Sequence, residues 1–280
     1  MSALKFSKLG PGFLFAGAAI GVSHLVQSTR AGADFGWGLL WALLLVNLFK
    51  YPFFQFGPRY AIATGESLLD GYLRLGKIYL WIYAFLNLAT MFTIQTAVTI
   101  VTAGLASQLF GVSSDMVEWS IAITFICYVI LLIGRYKLLD KVIKGIILLL
   151  TLSSVLALLI AAIKHEGSMS FAQVLPEASG FLFIIAFMGW MPAPMDISIW
   201  HSIWVLEKKK SLKEKLLIKE SLFDFNVGYL TTFLLGFCFI GLGALVMFNS
   251  DLQFSNKGDK FAGQLIQLYV SNLGDSAYLF

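Results

Sequence analysis

The chain has 280 residues, of which 58% are hydrophobic and only 13% charged, with a mean hydropathy of +0.81. A soluble domain carries about 25% charged residues, so a water-exposed globular fold is excluded and the bilayer must be the solvent for most of the chain. The net charge of +4 is a topology signal, because the basic residues are unevenly spread along the chain.

Seven apolar segments are predicted at about 11–33, 36–57, 79–107, 118–134, 141–163, 179–205 and 227–249, each long enough for a core that needs about 20 helical residues. An eighth is predicted to begin at Ala277, where the sequence ends, so the chain reads as a single transmembrane domain truncated after about seven helices. Lys5, Lys8 and the small residues Ala31, Gly32 and Ala33 mimic a secretory signal. With so many spanning segments following, the first is read as an uncleaved helix. Cys127 and Cys238 lie inside apolar runs with no metal or redox spacing and are read as packing residues.

Sixteen of the 20 basic residues fall at alternate segment ends: Lys5 and Lys8; Lys50, Arg59, Arg74 and Lys77; Arg135, Lys137, Lys141 and Lys144; and six lysines from Lys208 to Lys219. The positive-inside rule then places the N-terminus in the cytoplasm, in an inner or plasma membrane. The lysine run at 208–219 is read as a cytoplasmic loop; no nucleic-acid partner is expected.

Two segments are interrupted. Gly21-Val22-Ser23-His24 divides the first. In the sixth, Met191-Pro192-Ala193-Pro194-Met195-Asp196 does so, with two prolines that lack a donor and disfavour helix before them. Freed backbone groups in mid-membrane are tolerated only beside protein or a watery cavity. Breaks in the first and sixth helices mark a five-plus-five inverted-repeat transporter, whose half-helix ends and freed carbonyls address a solute or cation at the midplane. His24, Asp196 and His201 lie in or near these breaks, and ionisable groups at such depth are functional candidates. Arg30 and Asp34, four apart, are expected to pair locally. Asp224, at the cytoplasmic mouth of the seventh segment, is a gate candidate.

The runs Gly10-Pro11-Gly12-Phe13-Leu14, Ala31-Gly32-Ala33-Asp34-Phe35-Gly36-Trp37, Leu40-Trp41-Ala42-Leu43-Leu44 and Ile62-Ala63-Thr64-Gly65, with His201-Ser202, resemble the Nramp divalent-metal transporters. The resemblance implies an all-α membrane protein of LeuT type with discontinuous helices 1 and 6 and metal bound between them. It maps the site onto Gly21, Ser23, His24, Ala193, Pro194, Met195 and Asp196, with His201 as a proton or gating candidate. No resident cofactor is implied, the cation being cargo.

The departures from the family pattern are specific. Gly21 and His24 stand where the family has the Asp and Asn of Asp-Pro-Gly-Asn. Ala193 or Pro194 stands at the methionine of Met-Pro-His, and segment 79–106 lacks the usual acidic residue. Imidazole with carboxylate and carbonyl suits Mn, Fe, Zn or Ni; oxygen ligands alone favour Mg. In losing both the methionine and the acid, the sequence resembles relatives that carry Mg without proton coupling. The alternative is a small organic solute on the same fold, in a site lined by groups such as Trp190 and Trp200. A hydrolase using Ser23, His24 and Asp196 would need an exposed nucleophile held by its base, and no nucleophile-elbow pattern is present.

Overall fold

The computed structural model describes residues 9–111, 115–167, 169–212 and 216–248, a few positions beyond, and the backbone alone of 134–137 and 178–179. All regular elements among them are helical, and they share no strand. In order, these are α1 (Pro11–Ala19), a π-helical stretch (Ser23–Ser28), α2 (Thr29–Phe35), α3 (Leu40–Thr64), α4 (Leu68–Leu75), α5 (Lys77–Phe110), α6 (Met116–Lys164), α7 (Ala178–Trp190), α8 (Ile197–Ser211) and α9 (Ile218–Leu242), the last prolonged by a π-helical turn, Gly243–Met247. This is the expected all-α membrane architecture, discontinuous in its first and sixth segments. The expected start of an eighth segment at Ala277 lies outside the described residues.

Among the described residues, four spans are long and apolar enough to cross a membrane: Lys77–Phe110, Met116–Ile133, Leu138–Lys164 and Ile218–Met247. The first three bury little of their surface within the chain, the last much more. Long apolar faces without protein cover need lipid or further protein against them. The segments expected at 118–134 and 141–163 are carried by one helix, α6. At about 1.5 Å per residue its length approaches ~73 Å, more than twice a bilayer core. Basic residues placed in loops by the charge count are also helical: Lys50 and Arg59 in α3, Lys141 and Lys144 in α6, and Lys208, Lys209 and Lys210 in the last turn of α8. A lysine in a last turn interacts favourably with the helix dipole, so the chain had no need to leave helix there.

The centre of the structure is the first segment packed on α9. Both crossings are made by glycine pairs. A Cβ at Gly12 would lie 1.9 Å from the Asp224 carbonyl, and one at Gly228 1.9 Å from the Gly12 carbonyl. At the other end a Cβ at Gly32 would lie 2.0 Å from the Ile240 carbonyl, and one at Gly243 2.1 Å from that of Thr29. Small residues are what allow membrane helices such close backbone approach. Asp224 adds a polar tie, accepting from the N–H groups of Gly10 at 2.8 Å and Gly12 at 2.7 Å. Its carboxylate thus satisfies donors at the N-terminus of α1 that no helical carbonyl reaches. Beside it, Lys144 of α6 donates to the Leu9 carbonyl at 2.7 Å and to Asp140 at 2.8 Å, and Lys208 of α8 lies 3.5 Å from Asp140.

Between α3 and α5, the short helix α4 opens with a reciprocal capping box: Ser67 accepts from the Asp70 amide and Asp70 from the Ser67 amide. The Ser67 hydroxyl, donating to the Asp70 carboxylate at 2.6 Å, and then the Ser67 amide hold that carboxyl below the usual carboxylate range. The expected Arg30–Asp34 pair is present at 3.5 Å.

Candidate functional site

The first break begins where Ile20, after donating to the Ala16 carbonyl, turns extended with φ −85° and ψ 103°. The N–H groups of His24 and Leu25 both return to the Gly21 carbonyl at 3.1 and 2.9 Å, and the helix takes the wider π form over Ser23–Ser28. Single-turn π stretches inside α-helices are frequent at functional sites. Gly21 has ordinary backbone angles for an L-residue, and a Cβ added there would meet nothing within 4 Å. A longer side chain at this position has room.

His24 is fully buried, and each ring nitrogen has a polar neighbour within the protein. Nε2 lies 3.1 Å from the Thr232 carbonyl, so it carries the proton and donates. Nδ1 lies 2.9 Å from Ser23 Oγ, whose hydroxyl also lies 2.8 Å from the Ala19 carbonyl. Through Nε2 the histidine ties the break to α9, while its unprotonated Nδ1 faces the Ser23 oxygen. Ser23 likewise spends its hydroxyl on the carbonyl four residues back.

The second break follows α7. The Met191 N–H still reaches the Phe187 carbonyl at 3.0 Å, then the chain runs extended through a cis Met191–Pro192 bond. Helix restarts with Ile197, Ser198 and Ile199 donating to the carbonyls of Pro194, Met195 and Asp196. The break thus leaves carbonyls at the end of α7 without helical partners. Lys50 of α3 takes them: its Nζ donates to the carbonyls of Met188, Gly189 and Met191, each at 2.8 Å.

The two breaks meet. Phe15 and Ala19 pack in one buried cluster with Ala193 and Ile197, closed by Phe54, Phe225 and Tyr229. Ser28 Oγ approaches Met191 Sδ at 3.8 Å, so the thioether beside the break faces the first segment. Met195 is 45% exposed and Asp196 half-buried at the start of α8. Pro194 is likewise half-buried. His201 is fully buried with no hydrogen-bond partner on either ring nitrogen, its ring centroid 5.6 Å from those of Phe15 and Phe225. Among the described residues, no three His, Cys, Asp or Glu side chains gather as a metal cluster.

The structure therefore brings Ala193 of the second break together with the end of α1, commits Ser23 and His24 to internal bonds, and leaves Asp196 as the one carboxylate in either break. The sequence reading passed over Lys50. It was counted as a cytoplasmic charge, although it falls inside the apolar segment 36–57. A lysine at that depth was itself a signal.

The chain matches the family model described as natural resistance-associated macrophage protein-like over residues 12–277. It is 40% identical over 278 residues to the uncharacterized protein PM0681 of Pasteurella multocida, covering 98% of this chain and 64% of that protein. It is 23% identical over 285 residues to the metal transporter Nramp3 of Arabidopsis thaliana, covering 92% of this chain and 52% of that one. It is 28% identical over 163 residues to the divalent metal cation transporter MntH of Klebsiella pneumoniae, covering 56% and 38%. The chain thus spans less than two-thirds of the length of each of these curated relatives. Matched by that family model over nearly its whole length, this chain belongs to the Nramp family.

Proposed function

We propose that the chain forms the broken-helix core of a secondary transporter that moves a divalent cation of the Mn, Fe or Mg class by alternating access. One observation carries the reading: the two interrupted helices meet in a single buried cluster, with Asp196 as the one carboxylate in either break. A divalent ion in a water-poor site needs fixed negative charge to offset its dehydration. The names of the relatives Nramp3 and MntH support the same class of cargo. With His24 committed to Thr232 and Ser23, oxygen donors dominate, which favours a hard, partly hydrated ion such as Mg over Zn or Ni. Helix α5 carries no charge beyond Lys77 at its first position, so transport proceeds without an acidic proton relay. The cytoplasmic N-terminus rests on the placement of the basic residues.

A second reading rests on Lys50. An ammonium held at the second break opposes a second positive charge in the same low-dielectric space. It favours a small organic solute bearing a negative group.

Reconstituted flux of the full-length protein separates the two. Mg, Mn and Ni are compared with small carboxylic acids, in wild type and Asp196→Ala. The metal reading expects cation binding to vanish in Asp196→Ala. Unchanged cation binding, or acid flux without metal flux, transfers the assignment to the organic solute.

A further inference from the structure

The end of α7 presents three carbonyl oxygens, from Met188, Gly189 and Met191, converging on one atom at 2.8 Å each. In transporters built on broken helices, unwound carbonyls and half-helix C-terminal ends hold the coupling cation. Carbonyls grouped in this way replace a cation's hydration shell, and the negative end of the helix dipole adds to the attraction. The atom at the focus is Lys50 Nζ. Three acceptors around one nitrogen require three N–H donors, which an ammonium has and a neutral amine lacks.

We propose that the carbonyl crown at the end of α7 is a monovalent-cation seat, and that this chain fills it with its own Lys50 ammonium. The seat belongs to the C-terminal half-turn of α7, and its occupant arrives from α3 on a covalent stem. A tethered cation cannot dissociate, so the seat cannot exchange sodium or potassium with either side of the membrane. The chain consequently needs no monovalent ion at this position to hold the broken helix together. The inference does not depend on which cargo crosses, because the seat's occupant is a residue of the protein itself.

The alternative reading of Lys50, a positive charge kept available for an anionic cargo, requires at least one free donor. All three are engaged with backbone oxygens. The ammonium's direct bonds are therefore structural, while its charge still biases whatever binds beside the break.

Removing the head group should reopen the seat. The full-length protein in lipid nanodiscs is melted at constant ionic strength in choline, ammonium or methylammonium chloride. Wild type is expected to melt at the same midpoint in all three salts. Lys50→Ala is expected to melt roughly 5–10 °C lower in choline, since three charge-assisted bonds are lost. Ammonium and methylammonium, small enough to enter the vacated seat with the same donors, should recover at least half of that loss with a saturable dependence. Where Lys50→Ala does not yield folded protein, Lys50→Gln, which keeps two N–H donors, should show a smaller drop with the same order of salts. A variant that melts like wild type overturns the proposal. So does a lowered midpoint that ammonium and methylammonium leave where choline leaves it. Because melting is read without any cargo, failure here is distinguishable from failure of the transport assignment, which only flux can report.

Discussion

The two breaks face one physical problem, backbone groups freed inside a bilayer, and answer it with different chemistry. At the first, the answer is mostly local. The chain widens into π turns, Ser23 bonds back to Ala19, and His24 reaches across to Thr232. At the second, the prolines forbid a local answer. The freed carbonyls are gathered instead by a charge from another helix, Lys50. The difference follows from which groups are orphaned. A π turn keeps its amides and carbonyls paired with near neighbours, whereas Pro192 and Pro194 have no amide to offer. Neutral donors serve the first break; at the second, three carbonyls converge on one point, and only a three-donor group satisfies them all.

Support also differs. The first segment is gripped by α9 at both ends through reciprocal glycines, while α8 is held on α3 by one such approach, where a Cβ on Gly57 would lie 2.4 Å from the Ser198 carbonyl. The largest expected effect therefore comes from breaking the first grip. Gly12→Ala puts a methyl 1.9 Å from the Asp224 carbonyl. Relieving that overlap must separate α1 from α9, at an expected loss of about 2–3 kcal/mol. Thermal melting in lipid should register it. A midpoint within a degree of wild type would mean that the crossing is looser than described.

The next effect sharpens the contrast at His24. Its Nε2 is spent on Thr232 and its Nδ1 is turned to Ser23, so His24→Ala should weaken Mg, Mn and Ni binding together, by about 10–100-fold as for an outer-shell partner. Selective loss of Ni, measured by calorimetric titration across the three ions, would instead make imidazole a direct ligand.

The sequence disclosed the elements whose causes are local. Gly21 and the Pro192–Pro194 pair announce interruptions because backbone conformation is set within a few residues, and Arg30 with Asp34 is legible from helical spacing alone. Other features were hidden by distance. Nothing near His24 names Thr232, 208 positions away, as its partner. Nor does anything near Gly12 identify the α9 residues it must clear. Lys50 was obscured differently: one residue type serves both as a topology signal and as a buried cap. Only the three-dimensional position of the α7 carbonyls separates the two roles. The continuity of α6 through Arg135 and Lys137 belongs to the same class, because charge there marks depth in the membrane and not the end of a helix.

The smallest expected effect is a gain, and it tests what the first break has given up. The resemblance places Gly21 where the family carries a metal-binding aspartate, its φ lies outside the left-handed region, and space is open beside it. Gly21→Asp should therefore fold without penalty. It would place a second carboxylate at the break whose partner carries Asp196. Two carboxylates offset the dehydration of a divalent ion better than one, and they also counter the Lys50 charge across the break. Titration with Mn or Mg should show affinity rising by about tenfold, equivalent to ~1.4 kcal/mol. Gly21→Asn serves as the control, matching size without charge, and should bind close to wild type. If the cargo is an organic acid, the same substitution adds a like charge beside the cargo, and flux of the acid should fall while cation affinity stays flat. A variant that folds yet moves neither quantity would place Gly21 outside the binding region and remove the first break from the site.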